Sequence, residues 1–168
     1  MRFNVAGLLK AEVGARRRHV MEPEAPVRRG TVAIVRVPRG VLVQCEAEVL
    51  IEAQCSRCLV TFAYPETVAF EEFYRQQVDL ADGRRVERIE GEDEETFLIG
   101  LDNEIDTSEA VRQYTEMAAE MQPLCRPDCP GLCPECGTDL SMDNCQCENA
   151  ATDPRWASLR ALQPRKNE

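Results

Sequence analysis

The chain has 168 residues, 43% hydrophobic, 5% aromatic and 30% charged, with a formal net charge of −10. That length suits one domain plus a small appendage or two very small domains, and so few aromatics predict a thin aliphatic core. No run of about 18 apolar residues exists, so no membrane span is expected; the apolar stretch near Phe3–Leu9 is too short for a secretory signal, which makes the cytoplasm the expected location.

The charge is uneven. Residues 1–40 balance to +6, residues 41–121 to −14 and residues 122–168 to −2. An acidic chain repels phosphate, which disfavours generic electrostatic RNA binding. Arg16, Arg17, Arg18, Arg28 and Arg29 form the basic stretch that remains a candidate contact for RNA or a partner. The competing reading is a solvated face paired with the acidic middle.

The first 75 residues read as strands. Val41, Val43, Cys45, Ala47, Val49 and Ile51 alternate with Gln44, Glu46, Glu48 and Glu52, the period-two pattern of a half-buried antiparallel strand. Thr31–Val37 is a second β-branched run, and Pro38-Arg39-Gly40 between them predicts a hairpin. Leu59–Tyr64 and Thr67–Phe73, split by Pro65, continue the sheet. Residues 78–95 are charge-rich and read as a mobile acidic loop. Thr96–Leu101 is a further short strand candidate.

A helix is predicted over about 107–121, with Asp106 as N-cap and Glu109 three residues on. Ala110, Val111, Tyr114, Met117, Ala118 and Met121 fall on one face, which suits packing on the sheet, and Pro123 stops it. Residues 125–147 then hold six cysteines and few large apolar side chains, so this segment needs a cross-link or a metal to fold. Asp153-Pro154-Arg155-Trp156 opens a short C-terminal helix, with Trp156, Leu159 and Leu162 available to dock.

Nine cysteines carry the chemistry. Cys45 lies on the apolar face of its strand and reads as a buried small hydrophobe. Of the remaining eight, Cys133-Pro134-Glu135-Cys136-Gly137 is a metal knuckle: two thiolates two residues apart reach one tetrahedral ion, and Gly137 frees the chain for positive φ. With Cys145 and Cys147 it makes a closed four-sulfur Zn²⁺ site, provided the chain bends between the last two. Cys55, Cys58, Cys125 and Cys129 make a second set if the helix packs back on the sheet. Spacing alone also permits Cys125, Cys129, Cys133 and Cys136 as one set, leaving Cys55 and Cys58 to Cys145 and Cys147. Disulfides, an Fe–S cluster and thioredoxin-type chemistry at Cys55 and Cys58 are competing readings; the reducing compartment, the Cys-Pro-x-Cys-Gly unit and the strand following Cys58 speak against them. The single histidine is His19. No histidine-bearing open zinc site and no phosphate-cradling glycine loop can be built, so enzymatic activity is not expected.

Phe3-Asn4-Val5-Ala6-Gly7-Leu8-Leu9, Cys55-x-Arg57-Cys58-Leu59, Ile105-Asp106, Pro123-Leu124-Cys125, Gly131-Leu132-Cys133-Pro134-x-Cys136-Gly137, Cys145-x-Cys147 and Asp153-Pro154-Arg155 occur in this order. Together they resemble the YceD-like family of large ribosomal RNA subunit accumulation proteins over nearly the whole chain. Trp156 departs from it, since an aliphatic residue is more usual there. The resemblance implies a non-enzymatic cytoplasmic factor for accumulation or processing of large-subunit rRNA. Some members keep the Cys-x-Arg-Cys unit without the Cys-Pro-x-Cys-Gly knuckle, which favours two independent sites: Cys55, Cys58, Cys125 and Cys129, and Cys133, Cys136, Cys145 and Cys147.

The combined expectation is an α+β protein. Residues 1–122 form an antiparallel β-sheet domain with one packed amphipathic helix. Residues 123–150 form a small zinc-ribbon-like segment, and residues 151–168 a short C-terminal helix and tail. Two zinc ions are expected. The expected partner is a ribosomal protein, an rRNA-processing protein or the 23S rRNA precursor, with no membrane and no small-molecule substrate. Arg57 joins the candidate contacts, either reaching a partner, covering the first metal site or pairing with an acid. Two alternatives are a redox-switched zinc chaperone and a zinc-ribbon nucleic-acid-binding module.

Overall fold

The computed structural model describes residues 1–79, 83–87, 97–147 and 155. Two compact units emerge. The first is Met1–Ala53 with Thr61–Pro123, and the second is Gln54–Val60 with Leu124–Glu168. The elements in chain order are β1 (Arg2–Asn4), α1 (Ala6–Leu9), β2 (Arg16–Met21), β3 (Val27–Val37), β4 (Gly40–Gln54), β5 (Thr61–Arg75), β6 (Phe97–Leu98), β7 (Glu104–Asp106) and α2 (Ser108–Ala118).

The first unit is α+β. Its main sheet has the order β2-β3-β4-β5-β6, and β1 pairs separately with β7. The β3–β4 hairpin follows from alternation. Val32 sits opposite Cys45 and Ile34 opposite Val43, so the apolar residues of both strands share one face. Val37 pairs with Gly40, leaving Pro38-Arg39 as a two-residue turn in which Arg39 takes φ 68°. Proline first and positive φ second is the pattern of a type II turn. Val32, Val41, Val43 and Val49 are fully buried, each contributing about 1.5–3 kcal/mol of transfer free energy. Leu8 and Leu9 of α1 and Ala110 and Val111 of α2 belong to the same core.

Cys45 is buried in that core, its sulfur 3.6 Å from that of Met21. Burial, with help from Glu46, pushes its thiol up to about 11, so it stays neutral and apolar in character.

The structure departs from the sequence pattern in several places. Pro65 does not split β5, which runs unbroken from Thr61 to Arg75. β6 pairs only with Tyr74 and Arg75, so the stretch containing Pro65 is a sheet edge, where proline is tolerated. The β5–β6 pair is parallel, which demands a long connection, here residues 76–96. Of the strand candidate Thr96–Leu101, Thr96 lies outside the described residues, and among 97–101 only Phe97 and Leu98 are strand.

Helix α2 is shorter than expected. It ends at Ala118, where Ala119 turns extended at ψ 134°, before Pro123 is reached. Thr107 is its N-cap position, without a side-chain cap. Asp106 takes that role from one residue earlier, accepting the Ser108 N–H at 2.9 Å. Glu109 does not close a capping box but binds Arg112 and Gln113 instead. Ala110, Val111, Tyr114 and Ala118 face the core, whereas Met117 and Met121 are exposed. Tyr114 stacks on Phe70 of β5 with ring centroids 4.6 Å apart, and its hydroxyl meets Glu72 at 2.7 Å.

The expected C-terminal helix with Trp156, Leu159 and Leu162 lies outside the described residues, as does most of the acidic loop (80–82 and 88–95). Among the described residues no helix is long and apolar enough to cross a membrane.

Candidate metal centres

The second unit is built around two turns of the same design. At the end of β4, Cys55 accepts the Leu59 N–H at 2.9 Å on its carbonyl and donates its own N–H to Val60 at 2.9 Å. In the Cys133 turn, the Gly137 N–H reaches the Cys133 carbonyl at 2.9 Å, and the Cys133 N–H reaches Thr138 at 2.8 Å. Both turns need a residue in the left-handed region right after the second cysteine. Gly137 takes φ 74° there, and Leu59 takes φ 63°. Sequence reasoning identified Gly137 but missed Leu59, because leucine does not announce positive φ.

Around these turns eight thiols gather into two groups of four: Cys55, Cys58, Cys125 and Cys129, and Cys133, Cys136, Cys145 and Cys147, with all sulfurs in each group within 4.8 Å of one another. Four sulfurs at about 2.3 Å from a tetrahedral ion lie about 3.8 Å apart. In the first group Cys55 and Cys129 are separated by 3.8 Å, and Cys58 and Cys125 by 3.7 Å. In the second, Cys136 lies 3.5 Å and Cys133 3.2 Å from the Cys145 sulfur. All nine cysteines are free thiols, and these separations are far beyond a disulfide bond of about 2.05 Å. Each group could hold a metal ion.

The surroundings suit thiolates. Backbone hydrogen bonding at Cys125 and Cys58 lowers the Cys55 thiol to about 6. The Thr138 hydroxyl, 3.1 Å away, and the Thr138 backbone lower Cys136 to about 6. Cys125 and Cys147 resist. Burial and then the neighbouring sulfurs push Cys125 up to about 12, and the sulfurs of Cys145 and Cys136 do the same to Cys147. One thiolate thus opposes the next in each cluster, and a divalent cation is the species that relieves this opposition. Further N–H donors point at sulfur from Glu135 to Cys133 at 3.4 Å and from Cys147 to Cys145 at 3.2 Å.

Gly131 explains how the chain passes between the two turns. It takes φ 78°, and a Cβ there would lie 3.0 Å from the Arg57 carbonyl oxygen and 3.1 Å from the Arg57 Cβ. The Leu132 N–H donates to that same carbonyl at 3.1 Å, while the Gly131 carbonyl accepts from Leu140 at 3.0 Å. One short segment therefore touches the backbone of both cysteine turns.

The candidate contact arginines have diverse surroundings. The Arg57 guanidinium donates to the Cys129 carbonyl at 2.9 Å. Arg28 and Arg29 both pair with Glu48. Arg16 donates to Gln44 at 3.1 Å. Arg17 and Arg18, exposed on β2, form no ion pair among the described residues.

An α+β fold with cysteine clusters of zinc-ribbon type defines the class of protein. The profile of the family described as Large ribosomal RNA subunit accumulation protein YceD matches residues 43–163, and the chain belongs to that family. It is 31% identical over 123 residues to uncharacterized proteins of Mycobacterium tuberculosis (strain ATCC 25618 / H37Rv) and Mycobacterium bovis (strain ATCC BAA-935 / AF2122/97), covering 73% of this chain and 56% of each relative. A third relative, an uncharacterized protein of Mycobacterium leprae (strain TN), is 37% identical over 59 residues, or 35% of this chain and 27% of its own. The chain spans 56% of the length of the first two relatives. No solved structure matches it. The family is described by large-subunit rRNA accumulation, not by an enzymatic activity.

Proposed function

We propose that this chain is a non-enzymatic cytoplasmic zinc protein that supports accumulation and processing of large-subunit rRNA during ribosome biogenesis. Cys55, Cys58, Cys125 and Cys129 would hold one Zn²⁺, and Cys133, Cys136, Cys145 and Cys147 a second. A zinc ion held by four thiolates has no open coordination position, so it supplies folding energy and shape, not a reactive site. The observation that carries this reading is the pair of four-thiol clusters, each with all its sulfurs within 4.8 Å of one another, in a chain whose family is described by large-subunit rRNA accumulation.

On this reading Met1–Ala53 with Thr61–Pro123 present the contact surface, and the unit that joins Gln54–Val60 to the chain after Pro123 is the zinc-binding part. The net charge of −10 favours a basic protein partner, either a ribosomal protein or an RNA-processing protein, over bare precursor rRNA. Arg17 and Arg18 are better candidates for contact than Arg28, Arg29 and Arg57, whose guanidinium groups already have partners within the chain.

Metal analysis of the purified chain tests the first half, with two zinc ions per chain as the expected result. A metal-free folded sample would overturn it. Co-purification from cells of the wild type and of an Arg17→Glu, Arg18→Glu variant, with bound proteins and RNA identified, tests the second half. Loss of large-subunit components from the variant is expected. Tight, salt-sensitive binding to naked nucleic acid, with no protein partner, would favour the zinc-ribbon nucleic-acid module instead.

A further inference from the structure

The two thiol clusters differ in how they meet solvent. In the first, Cys55 and Cys129 are 0% and 1% exposed, Cys58 and Cys125 are half-buried, and no member is fully exposed. The Arg57 side chain bonds to the Cys129 carbonyl, and Gly131 packs on the Arg57 backbone. In the second, Cys136 and Cys147 are both exposed, and Cys145 is half-buried. The Cys136 sulfur therefore has solvent on one side and, 3.5 Å away, the sulfur of Cys145 on the other. Exposure beside a second thiol within reach is what a thiol oxidation site requires.

We propose that Cys136 and Cys145 form an oxidation site whose substrate is hydrogen peroxide, and that its reaction releases metal from the second cluster alone. The inference rests on the zinc reading of the two clusters. The Cys136 sulfur attacks one peroxide oxygen: an S–O bond forms, the O–O bond breaks, and the departing hydroxide takes a proton to become water. Cys145 then attacks the Cys136 sulfur. An S–S bond forms, the S–O bond breaks, and the oxygen leaves with a second proton as another water. Two thiolates have lost two electrons and the peroxide has gained them. Cys133 and Cys147 remain as the only sulfur ligands of that cluster, too few to keep a closed tetrahedral site, so Zn²⁺ leaves and these two thiolates take up protons. The first cluster keeps its ion, because two of its four sulfurs are buried and none of its cysteines is as open as Cys136 and Cys147. A thiol reductant and added zinc reverse the change.

The test uses the full-length zinc-loaded chain and hydrogen peroxide. Zinc release is read with a chromophoric chelator, and disulfides are mapped by mass spectrometry after blocking free thiols. The expected result is release of one of the two ions, a Cys136–Cys145 disulfide, and unmodified Cys55, Cys58, Cys125 and Cys129. Release of both ions together, of neither, or a disulfide confined to other cysteines overturns the proposal while leaving the zinc reading intact. A chain that carries no zinc before treatment overturns the zinc reading itself, and this inference with it.

Discussion

Gly131→Ala should be the most damaging single-methyl change in the second unit. Residue 131 sits at φ 78°, where an L side chain costs about 1–2 kcal/mol. The new Cβ would also stand 3.0 Å from the Arg57 carbonyl oxygen and 3.1 Å from the Arg57 Cβ. That carbonyl is held by the Leu132 N–H, so it cannot easily yield, and overpacking of this kind costs about 1–3 kcal/mol. The smaller entropy of alanine in the unfolded chain returns about 0.4–1 kcal/mol. The net destabilisation is about 2–3 kcal/mol, or a loss of roughly 30- to 150-fold in the apparent zinc affinity of the first cluster. Gly137→Ala is the control. It has nearly the same φ but nothing within 4 Å of the new methyl, so its cost is about 1 kcal/mol and falls on the second cluster. Chelator competition on the two variants and the wild type, paired with urea unfolding, separates the two effects. Equal losses in both variants, or a neutral Gly131→Ala, would refute the close-approach reasoning.

Leu59→Val, chemically conservative, should destabilise the unit by about 1–2 kcal/mol, because a β-branched residue is a poor occupant of φ 63°; Leu59→Asn should be tolerated, as urea midpoints will show. Cys133→Ser should remove one zinc ion and unfold the Cys133–Cys147 segment while circular dichroism keeps most of the strand signal; retention of both ions would count against the ligand assignment. Acid should loosen the start of α2. Hydrogen bonds from Arg112 and Gln113 depress Glu109 to about 2. For Asp106, burial alone would raise the carboxyl, but bonds from Ser108 and the N-terminal amine outweigh it and hold it well below the ordinary range. Depressed carboxylates stabilise fully above their unfolded values and lose that contribution as pH falls through the folded ones. Helicity should therefore decline as pH drops from about 4.5 to 2, modestly and more weakly in high salt, since these groups are exposed. A helical signal flat across that window would contradict the assignment.

The β3–β4 hairpin was legible because every other residue from Val41 to Ile51 is apolar and Pro38-Arg39-Gly40 marks the turn. Pro65, in the next strand, reads locally as a break, yet at a sheet edge proline costs no ladder bond. β1 and β7 left no readable signal. They are three residues each, and Phe3 finds Ile105 across a hundred positions. Met117 and Met121 matched the helical stripe but are exposed: Met121 lies beyond the end of α2 at Ala118, and Met117 is in its last turn, clear of the core. The cysteine spacings admitted two groupings of eight thiols. The structure brings Cys55 to Cys129 and Cys58 to Cys125, and that proximity depends on where the chain returns after β5 and α2, which local spacing does not encode.

The same return has a consequence for synthesis. Cys55 and Cys129 are 74 positions apart, and Cys58 and Cys125 are 67 apart. When the first two thiols leave the translating ribosome, their partners do not yet exist, and all of β5 and α2 must be made before the loop can close. The second cluster, confined to Cys133–Cys147, leaves no early pair waiting, since its four cysteines emerge close together and after the last of the first group. On the proposed metal reading, Cys55 and Cys58 wait as an incomplete pair while β5 and α2 are made, and the first site is a closing stitch set only after the stretch it encircles has been threaded.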